Sequence, residues 1–370
     1  MIRILHSVSN MDRAGLETML MNYYRHMDRS KVQFDFLCNK QKHGAYEEEI
    51  LALGGKIYRT PGLNPVKYPL YLRYMRKLFQ ENPGYRIVEG HNSAFAAYAL
   101  NAARHCGVPV RILHAHESSV HKDLKYPLRM LCKAVLPWST TERFTCGEAA
   151  AKFAFPSQKA RNRDYVLIPN AIEIERFTFD AKLREKVRRD NGLDGKHVVG
   201  HVGRFAREKN HAFLLETFAC LKQQDPAAYL VLIGDGEEMA FVQATAQRLG
   251  IADSVRFLGN IPNVNEWYQA FDVFVLPSIW EGLPVVSVEA QAADLPCVFS
   301  ASITREIHIL EKSQFVDLKA GPKAWAEAIA QALGHTQRQD VSKLIADRGY
   351  DISAEAVKLQ ERYLKMAEER

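Results

Sequence analysis

The stretch DVFVLPSIWEGLPVVSVEAQAADLP, residues 272–296, decides how the rest of the sequence is interpreted. Its apolar run at 273–276 predicts a buried strand that ends at Pro277. A short loop with Glu281 follows, and the amphipathic run at 285–293 predicts a helix. A strand, a loop and a helix start form the place where doubly wound α/β proteins bind ligands. We therefore expect a ligand site here.

The start of the predicted helix favours an anion, because free backbone amides and the helix dipole both attract negative charge. A proline in the first turn needs no N–H partner. Glu281 precedes this start, and Glu289 lies roughly 7 Å along the helix axis from it. The layout predicts an extended ligand with a phosphate in its middle and hydroxyl groups at both ends, as in a nucleotide-sugar. The residues of the predicted start are Gly282, Leu283, Pro284 and Val285.

Taken alone, two glutamates near a helix start are ordinary surface carboxylates. The segments DVFVLPS, EGLP and VEAQA, in this order, resemble the retaining glycosyltransferases of family 4, and the resemblance extends along nearly the whole chain. It implies the GT-B fold, which is α/β with two Rossmann-like doubly wound domains facing a central cleft. Within the first 60 residues it is strongest to bacterial exopolysaccharide enzymes.

Length and composition agree with two domains of a globular protein. The chain has 370 residues, 47% hydrophobic and 25% charged. No apolar run reaches the roughly 18 residues that span a bilayer, and the N-terminal MIRILHSVSN predicts a strand and not a signal peptide. The six cysteines include no C-x-x-C pair, which favours reduced thiols in a cytosol over disulfides or zinc.

Alternating strands and helices predict parallel sheets. We expect an N-terminal acceptor-binding domain at residues 1–172 and a nucleotide-sugar-binding domain at 173–351. Pro-Asn-Ala-Ile at 169–172 resembles the family's entry to the linker, with Ala171 in place of glycine. The resemblance also implies that a last helix, at 352–370, packs back on the first domain.

Charge is divided unevenly between these halves. Residues 1–172 hold 25 Lys+Arg and 14 Asp+Glu, a net of +11, and the remainder hold 24 and 29, a net of −5. A basic half predicts an anionic partner. A helix at 121–135 with Pro127 in its first turn would be basic and amphipathic; a solvated charged face is the alternative, and contact with anionic lipid is the interpretation favoured here. Its basic residues are Lys122, Lys125, Arg129 and Lys133.

Two candidate residues lie in the first domain. His116 ends a predicted strand, where the family places a histidine that faces the donor sugar; His114 and His121 are close enough to leave this assignment open. Gly15 lies in a stretch that resembles the family's first glycine loop, in which Ala14 replaces one glycine; a simple turn glycine is the alternative.

Three further candidates lie in the second domain. Arg204 and Lys209 flank a strand-to-helix turn and resemble the family's diphosphate clamp, in which a guanidinium fork and a compact ammonium hold phosphate oxygens. Ile261 corresponds to the loop whose backbone pairs with the base edge in the family.

The resemblance implies transfer of a hexose from a nucleotide-sugar, with UDP favoured by family frequency, to a lipid-linked saccharide in bacterial polysaccharide or cell-envelope assembly. It implies no cofactor and no metal, because the clamp and the helix-end amides stabilise the departing diphosphate. Glu289 is expected to hold the ribose, Glu281 the hexose 3- and 4-hydroxyls, and His116 the sugar. We expect a cytoplasmic enzyme, peripheral on the inner face of the membrane.

Two alternatives remain at this stage. A UDP-sugar epimerase on the same fold needs acid/base pairs that the sequence does not reveal. A non-catalytic module would bind nucleotide-sugar without turnover, or nucleic acid through the basic half, but no interleaving of aromatic and basic residues supports nucleic acid.

Overall fold

The structure, a computed structural model, describes residues 1–117, 126–335 and 337–369. It divides into two compact units, which are Met1–Ala171 with Ile352–Arg370 and Ile172–Asp351. Each unit contains one parallel sheet with helices between successive strands. The predicted α/β class with two Rossmann-like domains is confirmed.

Unit 1 has a sheet in the order β3-β2-β1-β4-β5-β6-β7. Its strands are β1 Ile2–Val8, β2 Val32–Cys38, β3 Ile57–Arg59, β4 Ile87–Gly90, β5 Val110–Ala115, β6 Glu142–Thr145 and β7 Val166–Leu167. Its helices are α1 Gly15–His26, α2 Glu47–Ala52, α3 Tyr68–Glu81, α4 Ala96–His105, α5 Tyr126–Ser139, α6 Glu148–Ala154 and α7 Ser157–Arg161, with 3-10 turns at Pro65–Lys67 and Ser93–Phe95.

The last helix of the chain, α16 Ile352–Glu369, belongs to unit 1. It buries Leu359 and Tyr363 in the same core as Phe34 and Phe144. Gln360 accepts a hydrogen bond from the amide of Asp28, at 2.7 Å. The core of unit 1 is therefore built from both ends of the described chain.

Unit 2 repeats the arrangement with the order β10-β9-β8-β11-β12-β13. Its strands are β8 His197–Val202, β9 Ala228–Ile233, β10 Val255–Phe257, β11 Val273–Leu276, β12 Cys297–Ser300 and β13 Ser313–Val316. Its helices are α8 Ile174–Phe177, α9 Ala181–Asp190, α10 His211–Gln224, α11 Met239–Arg248, α12 Val264–Ala270, α13 Val285–Ala292, α14 Gly321–Leu333 and α15 Ser342–Asp347. Its 3-10 turns are Arg207–Lys209, Ala252–Ser254, Arg305–Ile307 and Leu318–Ala320.

Two glycines fix the loop that follows β8. A Cβ at Gly234 would lie 2.0 Å from the carbonyl oxygen of Gly203, and Gly234 has φ +135°. A Cβ at Gly236 would lie 2.4 Å from the carbonyl oxygen of Phe205. No side chain fits at these distances, so the turn after β9 can contact the backbone at 203–205 only because positions 234 and 236 are both glycine. This contact holds the loop that carries Arg204.

Two details of the predicted elements are wrong. Pro284 is the residue before α13 and not part of its first turn, with φ −71° and ψ 112°. The helix expected at 121–135 ends too early: its described part is α5 Tyr126–Ser139, with Pro127 in the first turn as required, and its first residues, with Lys122 and Lys125, lie outside the described residues. Within the described ranges, no helix is long and apolar enough to cross a membrane.

Candidate functional site

A charged cluster lies at the carboxyl ends of two neighbouring strands in unit 2. Lys209 follows β8 and Glu281 follows β11, and these strands are paired in the sheet. The Lys209 Nζ lies 2.5 Å from Glu281 Oε1, and the two side chains are 15% and 12% exposed. Ser278 Oγ donates to the same carboxylate oxygen at 2.7 Å. Sequence analysis assigned Lys209 and Glu281 to different parts of one ligand; the structure brings them into direct contact.

The backbone ties the two loops of this cluster together. The amide of Ile279 donates to the carbonyl of Glu208 at 2.8 Å. Asn210 is in the left-handed conformation, with φ 60°, and its side-chain amide donates to the carbonyl of Pro277 at 3.2 Å. These bonds hold Lys209 and Glu281 in place before any ligand arrives.

Arg204 lies on the same loop but has a different environment. Its side chain is 62% exposed, and its guanidinium donates to Glu208 at 2.7 Å. Gly203 leaves room for the Lys209 stem, because a Cβ there would lie 3.3 Å from Lys209 Cδ. An exposed guanidinium can reorient toward an incoming phosphate, whereas the ammonium of Lys209 is already fixed.

Glu289 lies on α13, with its carboxylate against Tyr268 of α12. The Tyr268 hydroxyl donates to Glu289 Oε2 at 2.8 Å. Burial raises the pKa of Glu289 to about 7, although the Tyr268 hydrogen bond opposes this rise. Sequence analysis missed both Tyr268 and Ser278, because Tyr268 is one of several apolar residues in its helix and nothing in the sequence marks its hydroxyl.

The remaining candidates of unit 2 lie before and at the start of α13 and after β10. Gly282 and Pro284 are in the loop before α13, Leu283 is buried, and Val285 begins the helix. The first amides of a helix have no intrahelical partner, so this start can accept an anion. Ile261 follows β10, and within the described ranges neither its amide nor its carbonyl forms a hydrogen bond. The structure thus collects these candidates at the carboxyl edge of one sheet.

Unit 1 holds a second cluster, made of histidines, that sequence analysis saw only in part. His6 of β1 and His91 after β4 are in contact through Nδ1 and Nε2, 3.0 Å apart. His91 Nδ1 in turn lies 3.0 Å from His116 Nε2. His114 Nδ1 donates to Glu89 Oε1 at 2.7 Å. These residues come from three neighbouring strands, which is why their spacing in the sequence gave no signal.

Burial controls the protonation of this cluster. It lowers the pKa of His6 to about 4 and of His114 to about 3. It also lowers the pKa of His91 and His116, and it raises that of Glu89. The imidazoles are therefore neutral at pH 7, and each carries one N–H and one bare nitrogen.

Some of these side chains could also hold a metal ion. His91, His114 and His116 each offer a nitrogen, and these atoms lie within 4.8 Å of one another. His6, Glu89 and His91 form a second such group. Imidazole suits first-row transition metals such as zinc. Both groups belong to unit 1, whereas the Lys209–Glu281 cluster belongs to unit 2. The sequence analysis predicted neither group.

Gly15 and His116 lie after strands of the same sheet in unit 1. Gly15 begins α1, and a Cβ there would meet no atom within 4 Å. A side chain would therefore fit at Gly15, so the glycine is not required by packing in this structure. His116 follows β5, and its ring packs against that of His114 in a tilted arrangement, with centroids 4.1 Å apart. His121, the other alternative, lies outside the described residues.

Both halves of the chain match known family models. Residues 13–176 match the model described as Glycosyltransferase Family 4, and residues 184–345 match the one described as Glycosyl transferases group 1. A protein of Bacillus subtilis (strain 168) named as a glycosyltransferase, EpsF, is 37% identical over 356 residues, which cover 94% of this chain and 93% of that relative.

Two further comparisons are informative. An Escherichia coli protein named UDP-Gal:alpha-D-GlcNAc-diphosphoundecaprenol alpha-1,3-galactosyltransferase is 31% identical over 231 residues, 58% of either chain. The crystal structure of Anabaena Alr3699/HepE in complex with UDP and glucose is 18% identical, has a TM-score of 0.81, and covers 98% of this chain and 99% of its own. This likeness supports the predicted GT-B fold.

Proposed function

Because this chain belongs to the family 4 glycosyltransferases, we propose that it moves a hexose from a UDP-sugar to a lipid-linked saccharide during bacterial polysaccharide assembly, with retention at the anomeric carbon. The printed name of the Escherichia coli relative supports both the UDP donor and the diphosphoundecaprenol-linked acceptor. A similar fold in complex with UDP and glucose supports a UDP-sugar.

The contact between Lys209 and Glu281 is the observation that carries this proposal. A diphosphate that enters beside the start of α13 replaces Glu281 as the partner of Lys209. Arg204 turns toward the same phosphates, since its guanidinium is mostly exposed. Glu281, no longer paired with the ammonium, then accepts hydrogen bonds from the hexose 3- and 4-hydroxyls.

The other end of the donor is the nucleoside. Glu289 accepts hydrogen bonds from the two ribose hydroxyls, for which its carboxylate must be ionised. The backbone of Ile261 pairs with the edge of the base. These assignments divide the donor between Glu281 at the hexose and Glu289 at the ribose, with the helix start between them.

In the reaction, the bond between the anomeric carbon and the diphosphate oxygen breaks, and a bond to the acceptor hydroxyl oxygen forms on the same face. The acceptor proton passes to the departing phosphate. Charge that develops on the diphosphate is stabilised by Lys209, Arg204 and the amides at Gly282 and Val285, so we propose that no metal is required. His116 of unit 1 donates or accepts a hydrogen bond at the sugar.

We further propose that α5 rests on an anionic membrane. Leu131 and Trp138 are 65% and 70% exposed and lie seven residues apart, on one face of this helix. The net charge of +11 on residues 1–172 complements anionic lipid. Lys133 does not belong to that face, because its ammonium donates to the carbonyl of Phe153 and lies over the ring of that residue.

A donor panel tests the activity. UDP-, GDP- and ADP-sugars are incubated with a chelator and lipid-phosphate saccharide acceptors, and release of nucleoside diphosphate is measured for the unmodified chain and Glu281→Ala. We expect release from one donor, unaffected by chelator and lost in the variant. Conversion of the sugar without acceptor would indicate the epimerase, and consumption of no donor would contradict the transferase.

A vesicle assay tests the membrane contact. We expect the protein to float with vesicles that contain phosphatidylglycerol and not with phosphatidylcholine alone. Trp138→Ser should release it from the vesicles, whereas Val357→Ser, an exposed apolar residue on α16, serves as the control. Equal binding by Trp138→Ser would contradict a role for this face.

A further inference from the structure

His116 is in contact with a chain of buried histidines that have no role in the proposed mechanism. His91 is its direct neighbour, with Nδ1 3.0 Å from His116 Nε2. The other nitrogen of His91 lies 3.0 Å from His6 Nδ1. His6 and His91 are 0% and 4% exposed. Three imidazoles therefore form a continuous chain from the core of unit 1 to His116, the residue proposed to contact the sugar.

A second line of contacts supports the plane of the His116 ring. Glu89 accepts from His114 Nδ1 at 2.7 Å, and the His114 ring packs against that of His116 at an interplanar angle of 31°, with centroids 4.1 Å apart. The other oxygen of Glu89 accepts from the Tyr363 hydroxyl at 2.5 Å. Tyr363 comes from α16, 274 positions further along the chain. The last helix is thus connected to His114, and through it to His116, by the Glu89 carboxylate.

Hydrogen-bond chemistry restricts what these imidazoles can do. A neutral imidazole donates through one nitrogen and accepts through the other. Both nitrogens of His91 are engaged, so the nitrogen with which it donates decides whether His116 Nε2 accepts or donates. The tautomer of His116 therefore depends on that of His91, because the hydrogen bond at one ring nitrogen of a histidine determines where its proton lies.

We propose that His91, Glu89 and Tyr363 are positioning residues for His116: His91 sets which of its ring nitrogens carries the proton, and Glu89 and Tyr363 hold its ring in place through His114. This inference rests on the proposed role of His116 at the sugar. None of the three needs to touch the substrate. Their effect is therefore expected on the chemical step and not on donor binding.

Kinetics of His91 variants test the chain directly. His91→Leu removes both contacts, and we expect kcat to fall 10- to 100-fold while the donor KM stays within twofold. His91→Gln keeps an amide that donates and accepts in place of the imidazole, and should recover most of kcat. An unchanged kcat in a folded His91→Leu would overturn the proposal, as would equal losses in both variants.

Tyr363→Phe tests the contribution of the last helix with minimal change of volume. We expect a three- to tenfold loss of kcat at constant donor KM, since one hydrogen bond to Glu89 is lost. Tyr71→Phe is the matched control: Tyr71 is fully buried in unit 1, and its hydroxyl has no partner among the described residues. Equal losses in the two variants would overturn a specific role for Tyr363.

A spectroscopic test separates this inference from the proposed function. In protein labelled with ¹⁵N-histidine, the His116 ring signals are identified by their absence in His116→Gln. We expect His91→Leu to shift those signals to a different tautomer pattern, and Tyr71→Phe to leave them unchanged. If the unmodified chain consumes no donor, the proposed function fails, and these spectra alone decide about the chain of imidazoles.

Metal analysis gives a further decisive outcome. We expect the purified chain to contain less than a tenth of an equivalent of zinc or other transition metal, since His91 already uses both nitrogens within the chain of imidazoles. One equivalent of metal, lost in His91→Leu, would overturn the proposal, because the cluster would then be a metal site and not a hydrogen-bonded support.

Discussion

Each unit has a cluster of polar side chains at the carboxyl ends of its parallel strands, but the two clusters differ in charge and in exposure to solvent. In unit 1 Glu89, His6, His91 and His114 are buried and His116 is partly exposed, and burial keeps the imidazoles neutral. In unit 2 Lys209 and Glu281 form a charged pair that solvent partly reaches. A partly solvated pair can exchange one partner for a ligand, whereas a closed network can only orient its members. The comparison indicates that the Lys209–Glu281 pair is suited to binding a ligand, whereas the histidine network of unit 1 is suited to positioning His116.

The largest effect is expected at the charged pair. Lys209→Ala removes the ammonium proposed to meet the diphosphate, and we expect kcat/KM to fall at least about 100-fold. The measurement is steady-state release of nucleoside diphosphate. Lys186→Ala is the control, because Lys186 is 66% exposed in a surface pair with Asp190 on α9 of the same unit. A loss below fivefold in Lys209→Ala would contradict the proposed phosphate contact.

The buried network of unit 1 is expected to affect stability. Glu89→Leu leaves the His114 N–H and the Tyr363 hydroxyl without their acceptor, and unpaired buried donors cost about 1–3 kcal/mol each. We expect the free energy of unfolding of unit 1 to fall by about 3 kcal/mol. Urea denaturation measures it, with Glu81→Leu at an exposed position of α3 as control. Greater stability in Glu89→Leu would show that desolvation of the carboxylate outweighs its hydrogen bonds.

The pH dependence of donor binding should report Glu289. Its pKa is raised to about 7, so the carboxylate forms as pH rises through 7. If ribose hydroxyls require the ionised form, the donor KM should fall about ninefold between pH 6 and pH 8, as the ionised fraction rises from about one tenth to nine tenths. Glu289→Gln should abolish this dependence. A KM that increases with pH would contradict the assignment.

The smallest effect is expected at Tyr268. Tyr268→Phe removes the hydroxyl that donates to Glu289, a bond that favours the ionised form. The donor KM at pH 7 should rise two- to fivefold, and the midpoint of its pH dependence should move to higher pH. Tyr229→Phe, on β9 of the same unit, is the control. A midpoint that moves to lower pH would contradict the role of the hydroxyl.

Patterns in the sequence predicted most of the fold. The apolar run at 273–276 is the strand Val273–Leu276, and the N-terminal stretch predicted as a strand contains Ile2–Val8, because continuous apolar runs are local signals. The strand Ser313–Val316 was missed. It is short, lies at the edge of its sheet and has a polar first half, so its pairing depends on its neighbour β12 and not on its own composition.

The sequence predicted individual site residues that belong to recognisable motifs, but it did not predict which of them are in contact. Lys209 and Glu281 were identified from their motifs, but their contact joins positions 72 apart and requires the pairing of β8 with β11. Glu89 and Tyr363, 274 positions apart, gave no signal at all. Periodicity within a segment cannot show which strand ends become neighbours, so clusters assembled from several strands remain hidden.

The return of α16 to unit 1 has a consequence for the order in which the chain folds during synthesis. About 180 residues separate the end of the first segment of unit 1 from the start of α16. At 5–20 residues per second, a ribosome needs on the order of ten to forty seconds to make them. During that time the core of unit 1 lacks Tyr363 and Leu359, the residues that α16 contributes to it. The nascent N-terminal half is thus the part that a chaperone has reason to protect until α16 is made.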